Sequence, residues 1–148
     1  MFHKVVSKHI SRLTAVQFAY QLEITHENLL ESAEKFLSSD IFKEEDYKEI
    51  KISFFKRLIS KLNDETLSEQ IEKSLKSGKN LIHLSIIELC ILKIALIEMI
   101  YEKTDIPVII NEYIEIAKLF LDSNSIKFIN ALLDNLSKNV ERKCLIKV

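Results

Sequence analysis

The chain contains one glycine and one proline among its 148 residues. Turns that need a positive φ favour glycine, and tight corners favour proline, so a fold rich in hairpins would use more of both. Long helices joined by short loops need few of either. The apolar content of 47% and the charged content of 29% are typical of a globular protein. We therefore expect one all-α domain over residues 1–148, long enough to bury a core.

Apolar residues recur at helical spacing along the whole chain, and no segment has the pattern of a strand. The single glycine, Gly78, is expected to end the fourth helix, whose N-cap would be Asn63 or Asp64. Asp105 is a candidate cap for the sixth helix, and Pro107 suits its first turn. Seven helices are predicted, at about 11–24, 26–37, 43–62, 63–76, 83–101, 106–121 and 125–140, with a loop at residues 38–40.

The predicted fifth helix is apolar nearly all round and should be the central one. It is not expected to span a membrane, because it contains Glu88, Lys93 and Glu98, and a charge near the membrane centre costs about 3 kcal/mol. Cys90 in the same helix should be a small core residue. No histidine or cysteine spacing suggests a metal site, and no signal-peptide core follows Met1, so we expect a reduced, cytoplasmic protein without a cofactor.

No motif of an enzyme is present: the chain has no glycine-rich phosphate loop and no nucleophile elbow. Its net charge of −1 gives no argument for nucleic-acid binding, but the charges are unevenly distributed. The first 22 residues hold Lys4, Lys8 and Arg12 and no acid. On a helix these three cations share one face and could neutralise phosphates. The alternative is an ordinary solvated N-terminus.

Two further segments combine polar groups with a helix. In "SNSIKFINALLD", the side chains of Asn124, Ser125 and Lys127 stand beside Phe128, which would suit an unstacked base and its phosphate. Alternatively, Phe128 is a core residue and Asn124 or Ser125 an N-cap. In "INEYIEIAK", Asn111 begins a polar stripe that continues through Glu115, Lys118 and Asp122, opposite Ile110, Ile114, Ala117 and Leu121. Asn111 and Glu112 are either this solvated face or part of a binding surface.

Four strings occur in order along the chain: "AVQFAYQLE" (15–23), "IIELCILKIALIEM" (86–99), "INEYIEIAK" (110–118, preceded by "DIP") and "KFINALLD" (127–134). Together they resemble the NusB family of bacterial transcription antitermination factors. The resemblance spans nearly the whole chain, although residues 29–80 match only as a helical pattern. It implies an all-α fold of two small packed helical subdomains, about 1–80 and 81–148.

The resemblance also implies a non-enzymatic role. NusB-like proteins pair with NusE, which is ribosomal protein S ten, and the pair binds the boxA element of nascent RNA. This binding helps RNA polymerase in the antitermination complex to pass terminators, notably in ribosomal RNA operons. Some family members could also form homodimers through the RNA face. For this chain, boxA-type single-stranded RNA and NusE are thus the implied partners.

Individual residues acquire expected roles from the resemblance. Tyr20 and Glu88 match positions associated with the side that faces NusE. Asn111 and Glu112 match the Asn and Glu of the I-N-E string, and would shape the surface near RNA, through contacts with RNA or with neighbouring helices. From the charge pattern and the resemblance together, the residues expected to contact RNA are Lys4, Lys8, His9, Arg12, Asn111, Asn124, Ser125, Lys127 and Phe128.

Several positions depart from the family pattern. Ala131 replaces a usual Gly, Ile126 a frequent His, and Tyr113 a usual Ala, while His9 occupies a position that is often Arg. A methyl group at residue 131 is tolerable only if the backbone there is helical. With few cations, three phosphate contacts would give a log–log salt slope of only about −2 on a single strand. We therefore expect useful RNA affinity only with the protein partner.

Two alternatives share the same fold. One is an interaction-only helical module, which keeps the protein partner but has lost RNA binding through these departures. The other is a targeting domain, like the NusB-like domain of some ribosomal RNA cytosine methyltransferases. A chain ending at Val148 leaves no room for the methyltransferase domain, so that alternative would require a truncated protein. Charge reversal of Lys8 and Arg12 would distinguish an RNA-binding adaptor from an interaction-only module.

Overall fold

The computed structural model describes the backbone of residues 2–39, 51–76 and 78–145, and the side chains from residue 8 to residue 144 within those ranges. Secondary structure in these ranges is entirely helical, which confirms the all-α prediction. Short 3-10 turns lie at Leu81–His83 and Lys143–Leu145. The α-helices are α1 (Phe2–Thr25), α2 (Leu29–Ser38), α3 (Ile52–Ile59), α4 (Thr66–Ser74), α5 (Ile86–Tyr101), α6 (Ile106–Ala117) and α7 (Ser123–Asn139).

The chain divides into two compact units, Met1–Asn63 and Asp64–Val148. The boundary between the two subdomains was expected near residue 80, within the loop that follows α4. In the structure, α4 packs against α5 and α7 through the buried side chains of Leu67 and Ile71, so it belongs to the second unit. Within the described ranges, none of the helices combines the length and the apolar character that a membrane span requires.

In the first unit, α1 packs against α3 around an aromatic cluster. The ring of Phe18 lies edge-on to those of Phe36 and Phe55, with centroids 5.4 and 6.2 Å away, and Phe36 stacks on Phe55 at 5.7 Å. Ser11 links the two helices, because its Oγ accepts a hydrogen bond of 2.9 Å from the backbone N–H of Lys51, the N-cap of α3. This link fixes where α3 begins relative to α1.

In the second unit, α5 is the central helix, as predicted: every side chain from Ile94 to Ile100 is buried, and so is Cys90. Its start is a capping box, in which Ser85 Oγ accepts from the Glu88 N–H and the Glu88 carboxylate accepts from the Ser85 N–H. Such reciprocal bonds satisfy two backbone donors that the first turn leaves unpaired.

The C-terminal end of α5 is closed by the tail of the chain. Arg142 donates hydrogen bonds of 2.6–2.7 Å to the carbonyl oxygens of Met99, Glu102 and Thr104. The last carbonyls of a helix have no partner within the helix and carry partial negative charge, so a guanidinium there is favourable. Cys144 Sγ adds a contact of 2.7 Å to the Glu102 carbonyl.

Some predicted boundaries are wrong. Gly78 has the expected positive φ of 86°, but α4 ends at Ser74, so Gly78 turns the following loop and does not cap the helix. The N-cap of α4 is Glu65, so the predicted cap at Asn63 or Asp64 is wrong, although the Asp64 carboxylate accepts from the Thr66 N–H at 2.9 Å. The predicted third helix began at about residue 43, and its first part lies outside the described residues. Two of its predicted core positions, Tyr47 and Ile50, therefore also lie outside the described residues.

Candidate nucleic-acid interface

Three cations gather around one buried ring in the first unit. Lys8 Nζ and the Arg12 guanidinium carbon each lie 5.3 Å from the centroid of the Phe54 ring, and the Arg57 guanidinium carbon lies 5.7 Å from it. A cation at this distance is attracted to the negative face of an aromatic ring. We call these three residues, with Phe54 at their centre, the basic cluster. It exists because α1 and α3 pack together, so it combines residues far apart in sequence.

The members of the basic cluster differ in their exposure. Arg12 is only 3% exposed, so its guanidinium has almost no surface to offer a phosphate in this conformation. Lys8 is half-buried and Arg57 is exposed, so these two present the charge to solvent. The predicted contact between Arg12 and RNA thus remains a prediction, while the structure gives Arg12 a place against Phe54. The sequence had no signal for Arg57, because only the packing of α3 on α1 brings it here.

The structure says less about the two other N-terminal residues predicted to contact RNA, Lys4 and His9. Lys4 lies on α1, one helical turn before Lys8, but its side chain is outside the described residues. His9 is half-buried, and nothing in the structure tests its contact with RNA.

In the second unit, α6 and α7 form an open groove of about 560 Å³. Its floor is apolar, and its rim carries amide, hydroxyl and charged groups. Two predicted RNA-contacting residues from separate strings, Asn111 and Lys127, lie together on it. The lining residues are Ile106, Pro107, Ile110, Asn111 and Ile114 from α6, and Ile126, Lys127, Asn130, Asp134 and Ser137 from α7.

The polar groups of this groove are of two kinds. Asn111, Lys127 and Asn130 are exposed, and their side chains make no hydrogen bond or ion pair in the described part of the chain. Asp134, in contrast, pairs with Lys138 at 3.1 Å one turn later on α7. The uncompensated charge at the groove is therefore that of the Lys127 ammonium.

Asn130 was missed by the sequence analysis, although a signal for it exists. The residues that α7 contributes after Ile126 are spaced i, i+3, i+7 and i+10 from Lys127, which is one stripe of a helix. Their polar character along a helix whose opposite face is apolar could have indicated a shared surface.

The start of α7 differs from the prediction. Its N-cap is Asp122, whose carboxylate accepts from the Ser125 N–H at 2.8 Å, so neither Asn124 nor Ser125 is the cap. This backbone hydrogen bond, with a second from the Ser125 side chain, holds the pKa of the Asp122 carboxyl below its ordinary value of 3.8. Asn124 is exposed, and Ser125 and Phe128 are half-buried. These three do not line the groove, and their contacts with RNA stay predictions.

The polar stripe predicted for the sixth helix is also partly wrong. The helix ends at Ala117, so Lys118 is its C-cap and Asp122 belongs to α7. Its most buried face holds Ile109, Tyr113, Ile116 and Ala117, whereas Ile110 and Ile114, predicted to face inward, are half-exposed at the groove.

Two departures from the family pattern have structural explanations. Tyr113 is fully buried and donates a hydrogen bond of 2.8 Å to Oε1 of Glu98, which is itself 0% exposed. A tyrosine thus supplies a buried carboxylate with a donor that alanine could not. Ala131 is exposed on α7, whose backbone there is helical, so its methyl group is accommodated without strain.

The residues expected to face the protein partner lie in different units. Tyr20, on α1, is 41% exposed, so its side chain is accessible to a protein partner. Glu88 is 8% exposed, and its carboxylate is engaged in the capping box of α5. Their roles in partner binding stay predictions. Among the described residues, no group of three or more histidine, cysteine or acidic side chains is arranged to hold a metal ion.

Comparison with known proteins agrees with this architecture. The model of the NusB family matches residues 9–138. The transcription antitermination protein NusB of Clostridium botulinum is 32% identical over 137 residues, covering 90% of this chain and 99% of the relative. NusB of Vibrio parahaemolyticus is 32% identical over 153 residues, covering 95% and 97% of the two chains. The structure of T. maritima NusB superposes with a TM-score of 0.71 at 28% identity, covering 88% of this chain and 90% of that one. The chain therefore belongs to the NusB family of transcription antitermination factors.

Proposed function

We propose that this chain is a non-enzymatic, cytoplasmic RNA-binding adaptor that pairs with ribosomal protein S ten (NusE) and binds the boxA element of nascent ribosomal RNA. In this role it would join the antitermination complex of RNA polymerase. Family membership supports the general role, since the matched relatives are named transcription antitermination proteins. The specific partners rest on the resemblance and on the two surfaces described above.

The observation that supports RNA binding most is the basic cluster. A chain of net charge −1 has no general attraction for nucleic acid, yet Lys8, Arg12 and Arg57 converge on one ring. Each of these cations lies within cation–π distance of the ring, and Lys8 and Arg57 also have accessible surface where RNA phosphates would be attracted. Phosphate contacts of this kind position a protein on RNA without recognising its sequence.

Only Lys8 and Arg57 of the basic cluster have surface for phosphates. Two contacts correspond to a log–log salt slope of about −1.4 on single-stranded RNA. Such a small electrostatic contribution supports the expectation that useful affinity requires NusE.

The test is fluorescence anisotropy of a labelled boxA RNA titrated with this protein, with and without its cognate NusE, at low and moderate salt. Tight, salt-sensitive binding that appears only with NusE is the expected result. Lys8→Glu with Arg57→Glu should then weaken binding by about tenfold or more and flatten the salt dependence. Lys56→Glu is the matched control, because Lys56 is also an exposed cation of α3 but is not part of the basic cluster. Arg57→Glu alone, which reverses one charge as the control does, should weaken binding more than Lys56→Glu; equal effects of these two single variants would exclude a specific role for the cluster.

The burial of Arg12 favours a second candidate, the interaction-only module. A cluster with two accessible cations offers RNA less than three, and the chain could have kept only its protein partner. The same titration distinguishes the two, because this candidate requires NusE to associate while boxA RNA binds neither the chain nor the pair. Dimerisation of the chain remains a prediction that sedimentation of the isolated protein would check.

A further inference from the structure

We propose that the groove between α6 and α7 holds one unstacked nucleobase of single-stranded RNA. The side-chain amides of Asn111 and Asn130 would recognise the edge of the base, and Lys127 would contact an adjoining phosphate. This inference rests on the proposed function, because it assigns sequence recognition to one site of the same RNA-binding protein.

The shape and lining of the groove fit a base. Its floor is built from Ile110 and Ile114 of α6 and Ile126 of α7, all half-exposed in the free protein. The faces of a nucleobase are apolar and its edges are polar, so a base enters a protein site with its face on apolar or aromatic side chains and its edge on polar ones. A volume of about 560 Å³ leaves room for a base and part of its ribose.

Two free amides at one groove are suited to a base edge. A side-chain amide offers both donors and an acceptor, so it can match a mixed donor and acceptor pattern. Asn111 and Asn130 come from different helices, and their amides make no hydrogen bond in the described part of the chain. Both amides line the same groove, so both are available to the edge of a base bound there.

The charge of the groove favours RNA over an apolar peptide. Asp134, the acid in the lining, is paired with Lys138, which leaves Lys127 to attract an anion. An apolar helix laid into the groove would cover Asn111, Asn130 and Lys127 without offering them partners, and each polar group desolvated without a bond reduces affinity. A nucleotide supplies an apolar face, a polar edge and a phosphate together.

The experiment is a double-mutant cycle between protein and RNA. A labelled boxA RNA and a series in which each nucleotide in turn is abasic are titrated with the protein–NusE complex. The protein is wild type, Asn130→Ala, Asn111→Ala or the control Asn139→Ala. Asn139 is an exposed amide of α7 whose hydrogen bonds are local to Asn135, so its loss should leave RNA binding unchanged. Thermal unfolding of each variant checks that the fold is retained.

We expect one abasic position to weaken binding to the wild type by about tenfold, the scale of one well-made base contact. Asn130→Ala and Asn111→Ala should weaken binding to intact RNA to a similar extent and show no further loss at that position. If both variants lose affinity equally at every abasic position, no base occupies the groove. If they lose NusE binding instead, the groove takes a peptide and the inference is wrong. If the wild-type complex does not bind the RNA at all, the proposed function fails as well.

Discussion

The two units of this protein present polar groups in opposite ways. In the first unit, cations from α1 and α3 surround the Phe54 ring, so positive charge is concentrated there. In the second, two amides and one lysine border an apolar groove, so hydrogen-bonding groups with little charge are displayed. Phosphate contacts position a protein, whereas base contacts specify a sequence. Under the proposed function, affinity for RNA would come mainly from the first unit and sequence recognition from the second.

The interiors of the units differ as well. The first is held by a cluster of phenylalanine rings between α1, α2 and α3. The second is built on the aliphatic α5, which buries two carboxylates: Glu98 bonds to the hydroxyl of Tyr113, and Glu88 belongs to the capping box. The first unit also buries polar side chains, among them Ser11 and Arg12. The two interiors therefore differ in their apolar side chains, aromatic in the first and aliphatic in the second, and both satisfy buried polar groups.

The largest effect is expected from emptying the aromatic cluster. Phe55→Ala should lower the free energy of unfolding by about 3–5 kcal/mol, because a fully buried ring is replaced by a cavity. Urea unfolding followed by far-UV circular dichroism measures the change. Ile52→Ala on the same helix is the control, since Ile52 is 48% exposed and its loss should cost well under half as much. Similar losses for the two variants would mean that the cluster does not organise the first unit.

A smaller loss is expected from the buried pair of the second unit. Tyr113→Phe removes the hydroxyl that donates to Glu98 and should cost about 1–3 kcal/mol, the range for removing one partner of a buried hydrogen bond. Tyr20→Phe makes the same chemical change at an exposed tyrosine of the first unit and should change stability by no more than about 0.5 kcal/mol. Chemical denaturation of both variants gives the comparison. A Tyr113→Phe protein as stable as the wild type would contradict a structural need for the pair.

The smallest effect concerns the cap of α7. The Ser125 N–H lowers the pKa of Asp122 below 3.8, so the folded state favours the ionised carboxylate. The stability it contributes is present above the unfolded pKa of 3.8 and is lost as the pH falls through the lower pKa of the folded state. Asp122→Asn keeps a capping side chain but does not titrate.

The melting temperatures of wild type and Asp122→Asn should therefore be compared from neutral pH to about pH 3. We expect the wild type to be the more stable at neutral pH, because a negative charge favours a helix N-terminus, and its advantage to shrink below about pH 4. An advantage that stays constant over this range would show that the charge of Asp122 has no part in the cap.

The fold was largely predictable because it follows from local periodicity. The apolar run around Cys90 could only be a buried helix, and α5 is one. The face of α6 was misjudged because apolar residues surround much of that helix, and periodicity alone could not choose between Tyr113 and Ile110 as the buried position. The end of α6 was missed because polar spacing continues from Asn111 to Asp122 across a change of helix.

The candidate sites were less predictable because they depend on packing between helices. Arg57 joins Lys8 only when α3 packs on α1, and nothing near Arg57 in sequence indicates this. Asn111 and Lys127 were predicted to contact RNA from the sequence pattern and the resemblance together, and the groove gives them a common surface. Asn130 could have been predicted, since it follows Lys127 by one turn on the same face of α7.

The central claim is that the first unit supplies charge and the second supplies sequence recognition. The most direct test is the salt dependence of affinity for boxA RNA and for a scrambled RNA of equal length. It is measured with NusE for the wild type, for Lys8→Glu with Arg57→Glu, and for Asn130→Ala. We predict that the charge variant reduces the magnitude of the log–log slope by about 1.4 and keeps the preference for boxA over the scrambled RNA. Asn130→Ala should keep the slope and reduce this preference about tenfold. If either variant changed both quantities together, the division of roles between the two units would be contradicted.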